Sequence, residues 1–285
     1  MAAPAASSLY TTTFLLAILI TLLIAASLRL LAILPNGPFK PKPFRRRPIA
    51  TRVLIVLGSG GHTHEMFYLL RDLDTRKYTH RTYVVSSGDA FSAGRAVEFE
   101  RELEARELER EKNATAQDPS STNTASRKLE EEAKPACTGP SHYNLVTLPR
   151  ARRVHQTLLT SPITSLYTLL CSFPPLLSSP PLLPGQPPQN PYEAAAADLP
   201  DLIITNGPAT GVIVVLASLI LRFFDIRGAQ SRGKCRTIYA ESFARVTRLS
   251  LSGKILVWCV DRFLVQWEEL EGAGRGRAEF WGVLV

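Results

Sequence analysis

Cysteine is scarce in this chain: Cys137, Cys171, Cys235 and Cys259 are widely separated and none forms a CxxC pair. That excludes a disulfide framework and a cysteine-based zinc site, and reduced thiols are the simplest state. Histidine gives no metal site either. His62 and His64 lie two apart, on different sides of a helix, and Tyr68 stands where a second zinc-binding histidine would be needed. Each common nucleotide signature lacks a defining residue. GxGxxG would need glycine where Thr63 stands, and the P-loop pattern has no lysine to reach a phosphate. Neither a serine nucleophile elbow nor an aspartate-based divalent motif appears. Neither a metal nor a cofactor is therefore expected.

Basic residues are also missing from Met1 to Tyr10, ahead of an apolar run from Thr11 to Leu34 whose one charge is Arg29. A cleaved signal peptide expects the opposite order, basic residues first. The run is long enough to cross a hydrocarbon layer of about 30 Å, and Arg29 can snorkel to the interface. Net charge is +8, from 33 Lys and Arg against 25 Asp and Glu. Nucleic acid is not the expected partner, because no binding motif accompanies the charge. Lys40, Lys42, Arg45, Arg46, Arg47 and Arg52 instead crowd behind the apolar run, where basic side chains meet anionic lipid headgroups. The positive-inside rule then puts residues 1–10 in a lumen, 11–34 in the membrane and the rest in the cytosol, with 35–51 a basic, proline-stiffened stalk. Asn113-Ala114-Thr115 is a glycosylation sequon that should stay unmodified in a cytosolic domain.

What organises the remainder is VLIVLGSGGHTHEMFYLLRDL, Val53 to Leu73. Val53 to Leu57 read as a buried strand, broken by Gly58, Ser59, Gly60 and Gly61. From His62 the apolar Met66, Leu69, Leu70 and Leu73 recur at helical spacing. A strand, glycine loop and helix of this kind presents free N–H groups to an oxyanion, so a phosphate or diphosphate is the favoured ligand. Further strands are expected at His80 to Ser87, Asn144 to Leu148, Leu202 to Thr205, Thr237 to Ala240 and Phe263 to Trp267. Helices are expected through Leu158, Tyr167 and Leu170, ending at Ser172-Phe173-Pro174-Pro175, over Gly211 to Phe224, and near Leu251 to Cys259. Glu98 to Glu111 reads as a surface helix with little apolar face. It runs into a low-complexity insert at about 98–136, and a proline-rich insert follows at about 174–197. Setting the arm and the inserts aside leaves roughly 180 to 190 residues, enough for one α/β domain over 52–285.

Strands alternating with helices give a parallel, Rossmann-like sheet with ligands at the strands' carboxyl ends. Gly58 to His62, Asn206 and Gly207 with Pro208, and Glu241 to Arg245 all fall there. His62 is a candidate base oriented by Glu241, or a hydrogen-bonding residue to phosphate. Asp89, in a membrane-tethered NAD(P)-dependent oxidoreductase, would hold ribose. It lies about thirty residues past the loop where about twenty is expected, and a solvated strand-end role suits it better.

LGSGGHTHEM, LPRARRV, SFP, PDLIITNGPATGV, IYAESFARVTRLSLSGKIL and FLVQW, in order between Gly58 and Trp267, resemble the membrane-anchoring subunit of the eukaryotic UDP-N-acetylglucosamine transferase, the asparagine-linked glycosylation protein 14 family. The resemblance implies the acceptor-side half of a GT-B glycosyltransferase, not catalytic alone, whose donor-binding half is a separate soluble subunit. It implies dolichol-diphosphate-GlcNAc as ligand, addition of the second GlcNAc in N-glycan precursor synthesis, and the endoplasmic reticulum membrane, with the nuclear envelope continuous with it. By likeness to the bacterial single-chain GlcNAc transferases, Gly58, Ser59, Gly60, Gly61 and His62 would hold the diphosphate, with Asn206, Gly207, Glu241 and Arg245 beside them. The C-terminal Trp281, Val283, Leu284 and Val285 would contact the partner.

Overall fold

The computed structural model describes residues 5–35, 49–116, 135–152, 156, 160–178 and 187–284. The chain divides into two units, Met1–Lys42 and Pro43–Val285. In the first, α1 (Ala5–Ile33) contains a 24-residue apolar span, Tyr10–Ile33, long enough to cross a membrane. Of the basic cluster behind it, residues 40–47 lie outside the described residues.

The second unit is a seven-stranded sheet in which every neighbouring pair is parallel. Its strands are β1 (Arg52–Val56), β2 (His80–Ser86), β3 (Tyr143–Leu148), β4 (Leu202–Thr205), β5 (Arg236–Ala240), β6 (Arg262–Val265) and β7 (Ala278–Phe280), in the order β3-β2-β1-β4-β5-β6-β7. Successive strand residues point to opposite faces. Val53, Ile55 and Leu57 pack with α2 (Gly61–Leu69) and α3 (Ala90–Ala116) on one side. Leu54 and Val56 pack with α4 (Ser161–Leu177) and α6 (Thr210–Phe223) on the other. Both faces of β1 are therefore covered, which is why it reads as an unbroken apolar run rather than an alternation. The expected α/β, Rossmann-like sheet is present. The chain reverses direction across the sheet between β1 and β4, which opens a crevice at their carboxyl ends.

Three expectations are corrected. First, α3 starts at Ala90, and Ala96, Phe99 and Leu103 are buried in the core. The Arg/Glu alternation disguised a packed face, because Glu100 and Glu107 are buried too. Glu100 accepts from Arg81 Nε (2.6 Å) and Nη2 (2.7 Å) and from the Tyr83 hydroxyl (2.7 Å). Residues 98–116 thus belong to the fold, and 117–134 lie outside the described residues. Second, α4 does not stop at the prolines. Pro175 and Leu176 are buried, and the Pro175 carbonyl accepts from Arg52 Nη2 at 2.6 Å. The other end of the supposed insert is α5 (Pro191–Ala196), whose Asn190 cap accepts from the Glu193 N–H at 2.8 Å while Glu193 returns to the Gln189 N–H at 2.7 Å. Residues 157–159, where a helix through Leu158 was expected, and 179–186 lie outside the described residues. Third, Arg52 does not face lipid. It is fully buried, and its Nη1 donates to the Asp198 carbonyl at 2.6 Å. Burial lowers its pKa to about 10. No expectation covered β7, a strand that follows the glycine- and arginine-rich residues 272–277.

His80, which opens β2, is buried, and burial, then the charges of Arg52 and Arg81 and then His142, push its imidazole down to about 3. In the unfolded chain it titrates near 6.5. A folded pKa below the unfolded one means that this stability is complete above about 6.5 and is lost as pH falls toward 3. The loss is about 1.4 kcal/mol per pH unit per proton. The melting temperature should therefore fall between pH 7 and pH 5, and a His80→Gln variant should show a flatter profile over that interval.

Candidate functional site

Two loops meet over the crevice. Gly58 and Gly207, after β1 and β4, approach so closely that a Cβ on Gly207 would lie 2.9 Å from Gly58 Cα. One on Gly58 would lie 2.5 Å from His62 Cβ. Asn206 Nδ2 donates to the His62 carbonyl at 2.6 Å and fastens the β4 loop to the first turn of α2. Gly60 adopts φ 61° and ψ −123°, a conformation open to glycine alone, and begins α2 without a side-chain cap. Gly60, Gly61 and Ser59 are exposed, and a Cβ on Gly60 or Gly61 would meet nothing within 4 Å. The opening turn of α2 therefore offers uncapped amides beside open space, the arrangement that receives an oxyanion.

Thr63, standing where the dinucleotide fingerprint would place glycine, is fully buried. Its hydroxyl bonds to the Gly58 carbonyl and lies 2.6 Å from Ser92 Oγ. Ser92 in turn donates to Asp89 Oδ2 at 2.7 Å, and its N–H donates to Asp89 Oδ1 at 3.1 Å. Asp89 is thus an anchor at the start of α3 that braces the glycine loop through Ser92. That is a correction to its expected solvated role, and it ties up the carboxylate that would hold ribose in the oxidoreductase reading.

The expected partnership of His62 with Glu241 is replaced by another. His62 Nδ1 lies 3.8 Å from Glu65 Oε2, one turn along α2. Burial would raise the Glu65 carboxyl, but His62, the Ser242 hydroxyl and the Phe243 backbone outweigh it and hold it below its usual value. Glu241 is buried and spends its carboxylate elsewhere. Oε2 accepts from the N–H and the hydroxyl of Ser250, both at 3.1 Å, and Oε1 from the Ser242 N–H at 3.3 Å. Ser250 caps α7 (Leu251–Leu256), and a Cβ on Gly253 would collide with Glu241 Oε2 at 2.0 Å. Glu241 therefore organises the loop after β5. Arg245, exposed in that loop, donates its backbone N–H to the Ser242 carbonyl at 2.9 Å.

Sequence reasoning did not single out Gln266, which follows β6 and donates from Nε2 to the Glu241 carbonyl at 3.0 Å. The expected strand ran on to Trp267 and so enclosed it, whereas the observed one stops at Val265. Ala209 was also missed; it holds φ 53° at the start of α6, a left-handed conformation uncommon for alanine. At the C-terminus, Trp281 and Val283 are exposed, and Trp281 stacks under the Arg262 guanidinium at 4.4 Å. Val285 lies outside the described residues. Among the described residues no group of three or more potential metal ligands occurs.

A family model described as "Oligosaccharide biosynthesis protein Alg14 like" matches residues 53–284, the whole sheet domain with both crevice loops. The chain belongs to the Alg14 family. It is similar to the UDP-N-acetylglucosamine transferase subunit alg14 of Aspergillus fumigatus, 41% identical over 77% of this chain and 100% of that protein. The Schizosaccharomyces pombe subunit of the same name is 34% identical over 91% of this chain and 95% of its own length. The Rattus norvegicus subunit is 31% identical over 85% of each. Family membership also sets aside the oxidoreductase alternative, in agreement with Thr63 and Asp89. The loops that bring Gly58 against Gly207 and Asn206 against His62 both lie within the matched residues, at the switch point of the sheet.

Proposed function

We propose that this chain is the membrane-bound, acceptor-holding subunit of a UDP-GlcNAc transferase. It brings a soluble catalytic subunit to the cytosolic face of the endoplasmic reticulum and holds dolichol-diphosphate-GlcNAc while the second GlcNAc of the N-glycan precursor is added. The observation that carries this reading is the pair of glycine loops over an uncapped helix start, in a chain whose relatives are named as subunits of that transferase. Gly58 to His62 would receive the diphosphate. His62 would hydrogen-bond the phosphate there, with Glu65 rather than Glu241 beside its ring.

Two further features support a lipid-linked acceptor. The apolar span of α1 provides an anchor. On α4, Ile163, Leu166, Tyr167 and Leu170 form one exposed apolar stripe at helical spacing, between 57% and 72% exposed. The stripe lies in the half of α4 that follows the carboxyl end of β3, the sheet edge that also carries the crevice.

Depleting the chain from cells should release the catalytic subunit into the soluble fraction and accumulate dolichol-diphosphate-GlcNAc. Fractionation and lipid analysis read both, and an unchanged distribution of the catalytic subunit would refute the recruiting role.

A further inference from the structure

Two amide oxygens at the crevice, Asn206 Oδ1 and Gln266 Oε1, are buried without a hydrogen-bond partner, and beside them Glu65 Oε2 faces His62 Nδ1 at 3.8 Å. All three residues line one cavity of about 10 Å³, closed by Leu69, Ala240 and Leu284. Asn206 and Gln266 are each only 3% exposed. Buried polar atoms are nearly always satisfied, so two unpaired amide oxygens beside one space call for a hydrogen-bond donor there.

The chemistry of that occupant follows from what the three side chains have left to offer. The amide nitrogens are already used, Asn206 Nδ2 on the His62 carbonyl and Gln266 Nε2 on the Glu241 carbonyl. Glu65 Oε1 accepts from the Ser242 hydroxyl at 3.0 Å. Only acceptors remain. An anionic phosphate brings no donor and would be repelled by the Glu65 carboxylate, whereas an O–H or N–H would be held. The volume matches one water or one hydroxyl. Leu284 closes the cavity from the C-terminal segment, beside the exposed Val283.

We propose that Glu65, Asn206 and Gln266 form a subsite for a hydrogen-bond donor of the acceptor's sugar, a non-reacting hydroxyl or the acetamido N–H, distinct from the glycine-loop amides that take the diphosphate. The proposal rests on the acceptor-binding reading above and deepens it. Glu65 and Gln266 then determine which sugar is accepted, while the loop determines that a diphosphate is.

The test uses the full chain with its catalytic subunit and compares lipid-diphosphate-GlcNAc with analogues in which one non-reacting hydroxyl is replaced by hydrogen, or the acetamido group by hydroxyl. The complete complex should disfavour at least one analogue about tenfold or more in kcat/KM. Gln266→Met should raise the KM for the natural acceptor about tenfold, leave the KM for UDP-GlcNAc unchanged, and abolish that discrimination. If Gln266→Met fails to fold, Glu65→Gln carries the same test, since it keeps the Ser242 contact but turns an acceptor position toward a donor. Equal losses on the natural acceptor and every analogue, or no discrimination by the unaltered complex, would overturn the subsite. Failure of the unaltered complex to bind any lipid-diphosphate sugar would instead overturn the reading beneath it.

Discussion

A Gly207→Val substitution is expected to reduce GlcNAc transfer by about a hundredfold or more while leaving the chain folded. The first β-carbon would already stand 2.9 Å from Gly58 Cα and 3.2 Å from Gly58 N, both backbone atoms that no rotamer change can move aside. The two loops must part, and the Asn206 to His62 bond that spans them is lost or stretched. Overpacking of this kind costs about 1–3 kcal/mol of stability. Displacing binding groups by about 1 Å costs on the order of a hundredfold in rate. Gly61→Ala is the control for folding, since its β-carbon would meet nothing within 4 Å. Its melting temperature should match that of the unaltered chain. Activity measured in the reconstituted complex, beside melting temperature, separates crevice geometry from general instability.

The second large effect is on stability alone. Glu100→Leu should destabilise the domain by about 3–5 kcal/mol, the usual consequence of leaving a buried charge without its partner. Arg81 is fully buried, its guanidinium grips Glu100 through two nitrogens, and the Tyr83 hydroxyl shares the same carboxylate. Burial acts to lower the Arg81 pKa, but Glu100 more than compensates and raises it. Removing Glu100 strands both donors. The double variant Arg81→Met/Glu100→Leu should recover much of the loss, because an apolar pair of similar volume does not require charge compensation. Chemical denaturation of the two variants reads the difference.

Both effects concern features that the sequence reveals unequally. The strand, glycine loop and helix from Val53 were legible because a parallel strand covered on both faces is an unbroken apolar run, and its break falls on glycines. The loop of Asn206 and Gly207 was legible as the same pattern repeated. Helix α3 was legible over Glu98 to Glu111 as a helix but not as a packed one, because its buried face carries Glu100 and Glu107 among Ala96, Phe99 and Leu103, and charge there looks like solvent exposure until Arg81 is seen opposite. Strand β7 was hidden because Ala278 to Phe280 is short and follows glycines and arginines that read as a tail. The crevice residues were found in part. Position at a strand's carboxyl end picked out His62, Asn206 and Glu241, but only geometry separates Glu241, tied to Ser250, from Glu65, which stands beside His62.

The central claim is that this chain holds the lipid-linked acceptor while another polypeptide brings the activated sugar. Its most direct measurement is GlcNAc transfer to a lipid-diphosphate-GlcNAc in vesicles carrying the purified chain alone, the soluble catalytic subunit alone, and the two together. Turnover only in the third mixture, with acceptor binding retained by the chain alone, is the predicted result. Full turnover by the chain with no companion present would contradict it.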